Sequence, residues 1–455
     1  MTVNQFLKLL LMTNDFYPGG KSATNTTDGL VQDIMSIALR GYSLIQGERP
    51  MHLIGRYDEL FGQLAEPRNH GSFNTWVDIR RVMAEDLGIR LDAFKAVLFA
   101  LYSSTVPRDG EVKLPRLGYL NPDTYFDNIH LFSEEPNRIL RLVTTSPDEV
   151  REQHLSSYPV GIGNPMDLRI LLRKPVIRLQ DGSVAGISGQ LLIQRYTCGL
   201  YWDIHDSLSN DANETPNRRL FQNFFGELHE KYGRETLKRI EGEQVRAGRQ
   251  VRLLSEDDYL SAAGSNPDSL LIETIGRSNT RCTLFEFKVG RPRYMDSIVE
   301  GDVKAFEEDL SRKIEEGLNQ EINFVRQLLN GQRAVTGLSP KNVTAWLFVI
   351  VVTDPFPSMG IFLESLQKKL AESSDLGNES LHGTLVLSLM ELEQIEMIPK
   401  FRVSELLVNW VTSTHRDWPF NTYFAYHTKS QPISNHHVSA LAEDEFSRIE
   451  ALIGA

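Results

Sequence analysis

Cysteine is nearly absent from this sequence: two in 455 residues, Cys198 and Cys282, far apart and without metal-ligand spacing. That excludes a disulfide framework and a cysteine-ligated zinc site, and it fits a reducing compartment. Long apolar runs are missing too. The longest strong one, Ala345–Val352, has eight residues, against the roughly 20 that a helix needs to span a bilayer. Phe6–Met12 carries Lys8 inside a short apolar stretch with no basic segment before it, so a helical turn is expected there and not a signal peptide. A soluble, cytoplasmic protein with no membrane partner is the expectation. Basic charge is also short, with 48 Lys and Arg against 60 Asp and Glu, a net −12. The chain as a whole is no polycation for coating nucleic acid, so any such contact must come from a local cluster.

What is present is ordinary globular composition, 41% apolar and 24% charged, at a length that allows two or three domains. Residues 1–160 are expected to be mostly helical. Asp28 can cap a segment with Leu30, Val31, Ile34, Met35, Ala38, Tyr42 and Ile45 on one face; further helices are expected over Asn74–Leu87 and from Asp92 to Tyr102. Pro107–Pro122 resembles a loop ending in Asn121-Pro122-Asp123. Residues 161–216 are expected to form a small bridging unit, with a hairpin turning at Asp181-Gly182 and a helix over Gln190–Leu208. From 217 to 455 helix and strand alternate. Helices are expected at 220–241, 303–329 and 359–372, and strands at 268–274, 281–289, 343–353 and 383–389, with terminal helices after them. The implied class is α/β, a mixed sheet flanked by helices behind a helix-rich N-terminal region.

Two short apolar strands in this last region carry charge where a buried strand should not. In Thr283-Leu-Phe-Glu-Phe-Lys288, alternation puts Glu286 and Lys288 on one face and Phe285 and Phe287 on the other. Asp268 starts the preceding strand, so pairing of the two would bring both carboxylates to one point beside the Lys288 ammonium. Phosphodiester hydrolysis uses such a set. Two carboxylates hold Mg²⁺, the ion activates water and neutralises phosphate charge, and a lysine steadies the water.

Pro267-Asp268 followed by Glu286-Phe287-Lys288 resembles the PD-(D/E)xK motif of the restriction-endonuclease-like nucleases, over roughly residues 217–400. Triplets of the form Asp/Glu-x-Lys occur three times and Pro-Asp three times, but one combination alone places the triplet in an apolar strand. The resemblance implies a restriction-endonuclease-like core. It implies Mg²⁺, or Mn²⁺ on the same donors, held by Asp268, Glu286 and the Phe287 carbonyl, with Lys288 catalytic. It also implies an acid on the preceding helix, Glu230 before Glu227, and a polar residue on the following helix, Gln320. Arg277, Arg281, Arg291 and Arg293 would make the mouth of the site positive for nucleic acid. The expected activity is metal-dependent hydrolysis of DNA. RNA or a repair intermediate as substrate remains an alternative, as does a silent scaffold binding a partner protein. Since the N-terminal region shows no base-reading module, an effector of antiviral (antiphage) defence, acting as a homodimer or with a partner defence protein, is expected by analogy.

Other signals are discounted. Met83–Asp92 has the outline of a helix-turn-helix, but the helix after it is almost wholly apolar, with Lys95 its one cation. Gly19-Gly-Lys-Ser22 lacks the earlier glycine of a phosphate loop, Asp15 standing in its place. His415, His427, His436 and His437 suit no zinc motif, and Cys282 is expected to be a small packed residue.

Overall fold

The computed structural model describes residues 35–36, 50–106, 118–126, 134–157, 168–211, 213–255, 258–259, 266–276, 279–289, 293, 296–297, 300–353, 360–373, 376, 380–416, 418–429 and 435–453. The helix expected over residues 30–45 therefore lies almost wholly outside the described residues.

The chain forms two compact units. One contains residues 229–435 with 1–47, and the other residues 48–228 with 436–455. The expected cuts at 160/161 and 216/217 are replaced by this division, and strand pairing gives the reason for the first. In the second unit, β1 (Gly118–Leu120), β2 (Thr144–Thr145), β3 (Val176–Arg178) and β4 (Val184–Gly186) form one sheet in the order β1-β4-β3-β2. The expected hairpin is there, with Gly182 at φ 84° in its turn, but both its edges are occupied by strands from before residue 160. It is not a separate bridging unit.

The helices of this unit are α1 (Pro50–Tyr57), α2 (Ile79–Asp86), α3 (Leu91–Ser103), α4 (Pro122–Tyr125), α5 (Glu135–Val143), α6 (Pro147–Ser157), α7 (Arg169–Arg173), α8 (Gly189–Tyr196) and α9 (Cys198–Ser207). Three expectations are corrected. The helix expected from Asn74 starts only at Ile79, because Asp78 accepts the Arg81 N–H and caps it there. Asn121 caps the short α4 instead of closing a loop. The single helix over Gln190–Leu208 breaks at Thr197, whose φ of −106° and ψ of −91° are not helical. As expected, α3 is buried. Its Lys95 Nζ lies 3.0 Å from Asp58 and 2.8 Å from Glu445, all three buried, so that cation serves packing.

The other unit is built on a five-stranded mixed sheet: β5 (Gln250–Ser255), β6 (Ser269–Ile275), β7 (Asn279–Lys288), β8 (Val343–Val352) and β9 (Leu381–Ser388), in that spatial order. The first two pairings are antiparallel and the last two parallel. The edge strand β5 is an addition to the sequence expectation. Helix α10 (Arg218–Arg246) precedes the sheet, and α11 (Val303–Leu310) and α12 (Glu316–Leu329) are joined by a π-turn at Ser311–Glu315. Then come α13 (Gly360–Glu372), α14 (Leu389–Glu396), α15 (Val403–Thr412) and α16 (Phe420–Thr428), while the final α17 (His436–Ile453) belongs to the second unit.

Helices cover both faces of this sheet, which is why β8 is buried at nearly every position. One face presents Leu270, Ile272, Cys282, Leu284, Trp346, Phe348, Ile350 and Val352 to Phe306, Leu310, Ile314, Leu318, Ile322 and Val325 of the α11–α12 segment. On the other, Phe287 lies against Gly233 of α10 and Leu347 near Val411 of α15. Lys288, Val352 and Ser388 align at the carboxyl ends of the three parallel strands, the end of an open sheet at which ligands usually bind. Among the described residues no helix is long and apolar enough to cross a membrane.

Candidate active site

Pairing of β6 with β7 sets the site. Ser269 faces Phe285, so the next residue out, Asp268, stands opposite Glu286. Asp268 Oδ2 accepts the Phe287 N–H at 2.7 Å. In a strand the N–H and C=O of one residue point the same way, so the Phe287 carbonyl also faces the Asp268 side. Glu286 and Lys288 project from the opposite pleat to Phe287, toward α12. There Gly317 makes room for them, since a Cβ on it would lie 3.2 Å from both Glu286 Cγ and Lys288 Cε. Lys288 Nζ donates to Glu286 Oε1 at 2.7 Å and to Gln320 Oε1 at 3.3 Å. Asp268, Glu286, Lys288 and Gln320 are thus brought together.

Electrostatics give the acids different characters. Glu286 is buried, and burial together with the Asp268 charge pushes its carboxyl up to about 7, although Lys288 pulls the other way. Burial works against the Lys288 ammonium, but the Glu286 charge outweighs it and the group is held above its ordinary value. Glu286 Oε2 is buried and has no partner of normal hydrogen-bond geometry, while the Asp268 amide relieves part of the carboxylate's charge. A third acid, Glu321, is fully buried one residue beyond Gln320, and neither of its oxygens has a partner of normal hydrogen-bond geometry. Burial raises it well above its usual value, the Glu286 charge adds to this, and the Val349 amide offsets part.

Glu230 is placed differently from the expectation of a metal ligand. Its carboxylate is ion-paired with Arg234, one turn on along α10, and Arg234 Nη2 lies 3.9 Å from Asp268 Oδ1. Glu227 accepts the backbone N–H groups of Asn74 and Thr75, at 2.7 and 3.1 Å, and is engaged in the second unit. Of the four arginines expected to line the mouth, Arg277 and Arg291 lie outside the described residues. Arg281 sits opposite Glu273 on β7, seven positions before Lys288, or about 23 Å along the strand. Arg293 is occupied by α11: its guanidinium donates to the Ala305 carbonyl at 2.7 Å and to Glu308 at 2.9 Å, and pairs with Asp309. Neither described arginine forms the expected positive mouth.

Among the described residues no set of three His, Cys, Asp or Glu side chains is arranged to hold a metal. The donors at the site are nonetheless hard oxygens: Asp268, the Phe287 carbonyl, and a Glu286 whose buried Oε2 lacks a partner of normal hydrogen-bond geometry. That chemistry suits Mg²⁺ or Mn²⁺, which take carboxylate, carbonyl and water.

Sequence reasoning missed three residues here. Glu321 had a legible signal, an acid in the apolar stripe that Ile314, Leu318, Val325 and Leu328 form on their helix. Arg234 could have been found from its i, i+4 spacing to Glu230. Gly317 is a glycine inside a helix, where a packing reason should be sought. The discounted histidines make packing contacts: His415 stacks on Trp418 and His437 lies 3.1 Å from Glu59. Cys282 is buried, and burial raises its thiol well above the ordinary range. Comparison with protein-family models, curated proteins and solved structures finds no match to this chain.

Proposed function

We propose that the chain is a divalent-metal-dependent nuclease of the restriction-endonuclease-like type, acting on DNA phosphodiesters at Asp268, Glu286 and Lys288. The observation that carries this reading is the cross-strand register that sets Asp268 opposite Glu286 and leaves Lys288 Nζ 2.7 Å from Glu286 Oε1. Asp268, Glu286 and the Phe287 carbonyl would hold the ion. When bound, the ion supplies an activated water and charge for the phosphate. Lys288, held between Glu286 and the Gln320 amide oxygen, would supply positive charge beside the ion's site, where it would favour hydroxide over water. Gln320 fixes the ammonium from the helix side, and Gly317 lets the helix approach closely enough to do so. Buried walls of Leu284, Ile350 and Val352 exclude bulk water from the inner side of the acids.

The test is incubation of the purified protein with supercoiled plasmid, linear duplex, single-stranded DNA and RNA, with Mg²⁺ or Mn²⁺ and with chelator, beside Lys288→Ala. Metal-dependent cutting that the variant lacks is the expected result, and the substrate panel separates DNA from RNA. If no substrate is cut and calorimetry detects no divalent-ion binding, the nuclease reading fails in favour of a binding scaffold.

A further inference from the structure

Unlike Glu286, which lies inside β7, Asp268 stands one residue before β6 begins at Ser269. Its side chain accepts the Phe287 N–H, but its backbone is set from upstream. Pro267 is buried and has a fixed φ, and a residue before proline is confined to extended backbone. Whatever grips Asn266 therefore sets the direction in which the chain enters Asp268. The grip comes from beyond the end of α12. That helix closes in a Schellman turn: Gly331, at φ 67°, donates to the Leu328 carbonyl at 3.1 Å, and Gln332 to the Gln327 carbonyl at 2.9 Å. The reversal lays Arg333 back over its own helix, with the guanidinium carbon 5.0 Å from the Phe324 ring centre. Phe324 is fully buried and the Tyr259 ring packs edge-on against it at 5.4 Å, so the seat is rigid. From there Arg333 Nη1 donates to Asn266 Oδ1. Arg333 is itself buried, and taking a cation out of water is unfavourable, so its place calls for a reason. Helix α12 thus reaches the site twice, through Gly317 and Gln320 at Lys288 and through Arg333 at the entry to Asp268.

Resting on the nuclease reading, we infer that Arg333 is a positioning residue for Asp268: seated on Phe324, it holds Asn266 and, through the stiff Pro267, fixes the Asp268 carboxylate opposite Glu286. It touches neither ion nor substrate and acts from within the fold. A guanidinium suits this task, since its face lies on an aromatic ring while its edge donates in a fixed direction. The same link ties the helix that steadies Lys288 to the loop that delivers Asp268, so both sides of the ion's site are referred to one element.

Full-length wild type, Arg333→Met, Arg333→Lys, Asn266→Ala and the double variant Arg333→Met with Asn266→Ala would be compared. Mn²⁺ binding is followed by calorimetry, and urea unfolding in chelator gives the stability of each. Methionine keeps the packing on Phe324 and removes the donor. Asn266→Ala cuts the same link from the loop side, and carries the test if the buried Arg333 does not tolerate replacement. Arg333→Met and Asn266→Ala are each expected to weaken Mn²⁺ binding about tenfold, the lower end of what loss of a metal ligand's support costs. The double variant should be no weaker than either, because one link is broken twice. Arg333→Lys, which keeps a donor over the ring, should bind Mn²⁺ more tightly than Arg333→Met. If wild type binds Mn²⁺ and both single variants bind it equally well, the inference is overturned. Losses that add in the double variant overturn it too, since Arg333 then does not act through Asn266. So does a loss in Arg333→Met that follows a lowered urea midpoint while Asn266→Ala binds like wild type, because Arg333 then only braces the fold. If wild type binds no Mn²⁺, the nuclease reading itself falls and takes this inference with it.

Discussion

Replacing Glu286 by glutamine should make the metal-free protein more stable, and the size of the gain follows from the site. The Glu286 carboxyl is moved from its usual 4.5 to about 7 by burial and by Asp268. At ~1.4 kcal/mol per pH unit this amounts to about 3 kcal/mol. The folded protein holds the proton more tightly than the unfolded chain does. The stabilisation from that proton is therefore complete below pH 4.5 and is lost as the pH rises to about 7. Glutamine resembles the protonated acid and has nothing to lose. Glu286→Gln should match wild type at acid pH and exceed it by about 3 kcal/mol at about pH 8, roughly 6–12 °C in midpoint for a unit of about 200 residues. The assay is thermal and urea unfolding in chelator at several pH values, followed by circular dichroism. Adding Mg²⁺ should then raise the midpoint of wild type and leave the variant where it was, because an ion that binds only the folded state stabilises it. A variant no more stable than wild type at about pH 8 in chelator would refute the reasoning, since Glu286 would then carry no buried charge worth relieving.

Glu321→Gln should behave in the same direction: its raised carboxyl loses stabilisation as the pH climbs above 4.5, so the variant gains on wild type in neutral and alkaline unfolding experiments. Lys95→Met leaves the buried Asp58 and Glu445 with Arg448 as the cation they still share and should cost about 1–3 kcal/mol in urea unfolding. Gly233→Ala drives a methyl into the Phe287 ring. A cost of about 1–3 kcal/mol is expected, with a crystal structure showing the ring displaced. Gly317→Ala should leave stability within about 1 kcal/mol, helix propensity offsetting crowding, while metal-dependent cleavage drops because Lys288 Cε is pushed from its place.

What could be read in the sequence was what depends on short separations. Glu286 and Lys288 stood out because a two-residue period in an apolar strand makes a charge conspicuous, and their partner strand ends at Ile275, just before their own begins at Asn279. Their meeting with Asp268 is thus nearly a local event. Strand β5 went unseen because Gln250-Val-Arg-Leu-Leu-Ser255 is an edge strand with polar residues at both ends and an arginine inside. The break at Thr197 was hidden in a run whose apolar spacing continues across it. Long-range capture was invisible altogether. Nothing local says that Asp309 will take Arg293 out of play, or that the closing helix joins residues near position 55, where a Cβ on Gly55 would strike the Val438 carbonyl.

The cost of this site also says something about its use. Asp268, Glu286 and Glu321 feel one another's charge around one strand end, and two of them are buried. A chain selected only for folding would gain by filling these positions with neutral residues, since burying unpaired charge is unfavourable. Lys288 and Arg234 relieve part of that cost, and Glu286 Oε2, with no partner of normal hydrogen-bond geometry, keeps much of the rest. Such residual frustration where three acids crowd one strand end is expected where activity is favoured over stability, whereas the buried Glu273 elsewhere in the sheet stands alone with Ser404 as its hydrogen-bond partner. It also separates a working site from a relic. If Glu286→Gln and Glu321→Gln both stabilise the metal-free fold while removing ion binding, the acids are retained for the ion. If they stabilise it and the wild type binds no ion, the cost has no purpose and the site is a remnant.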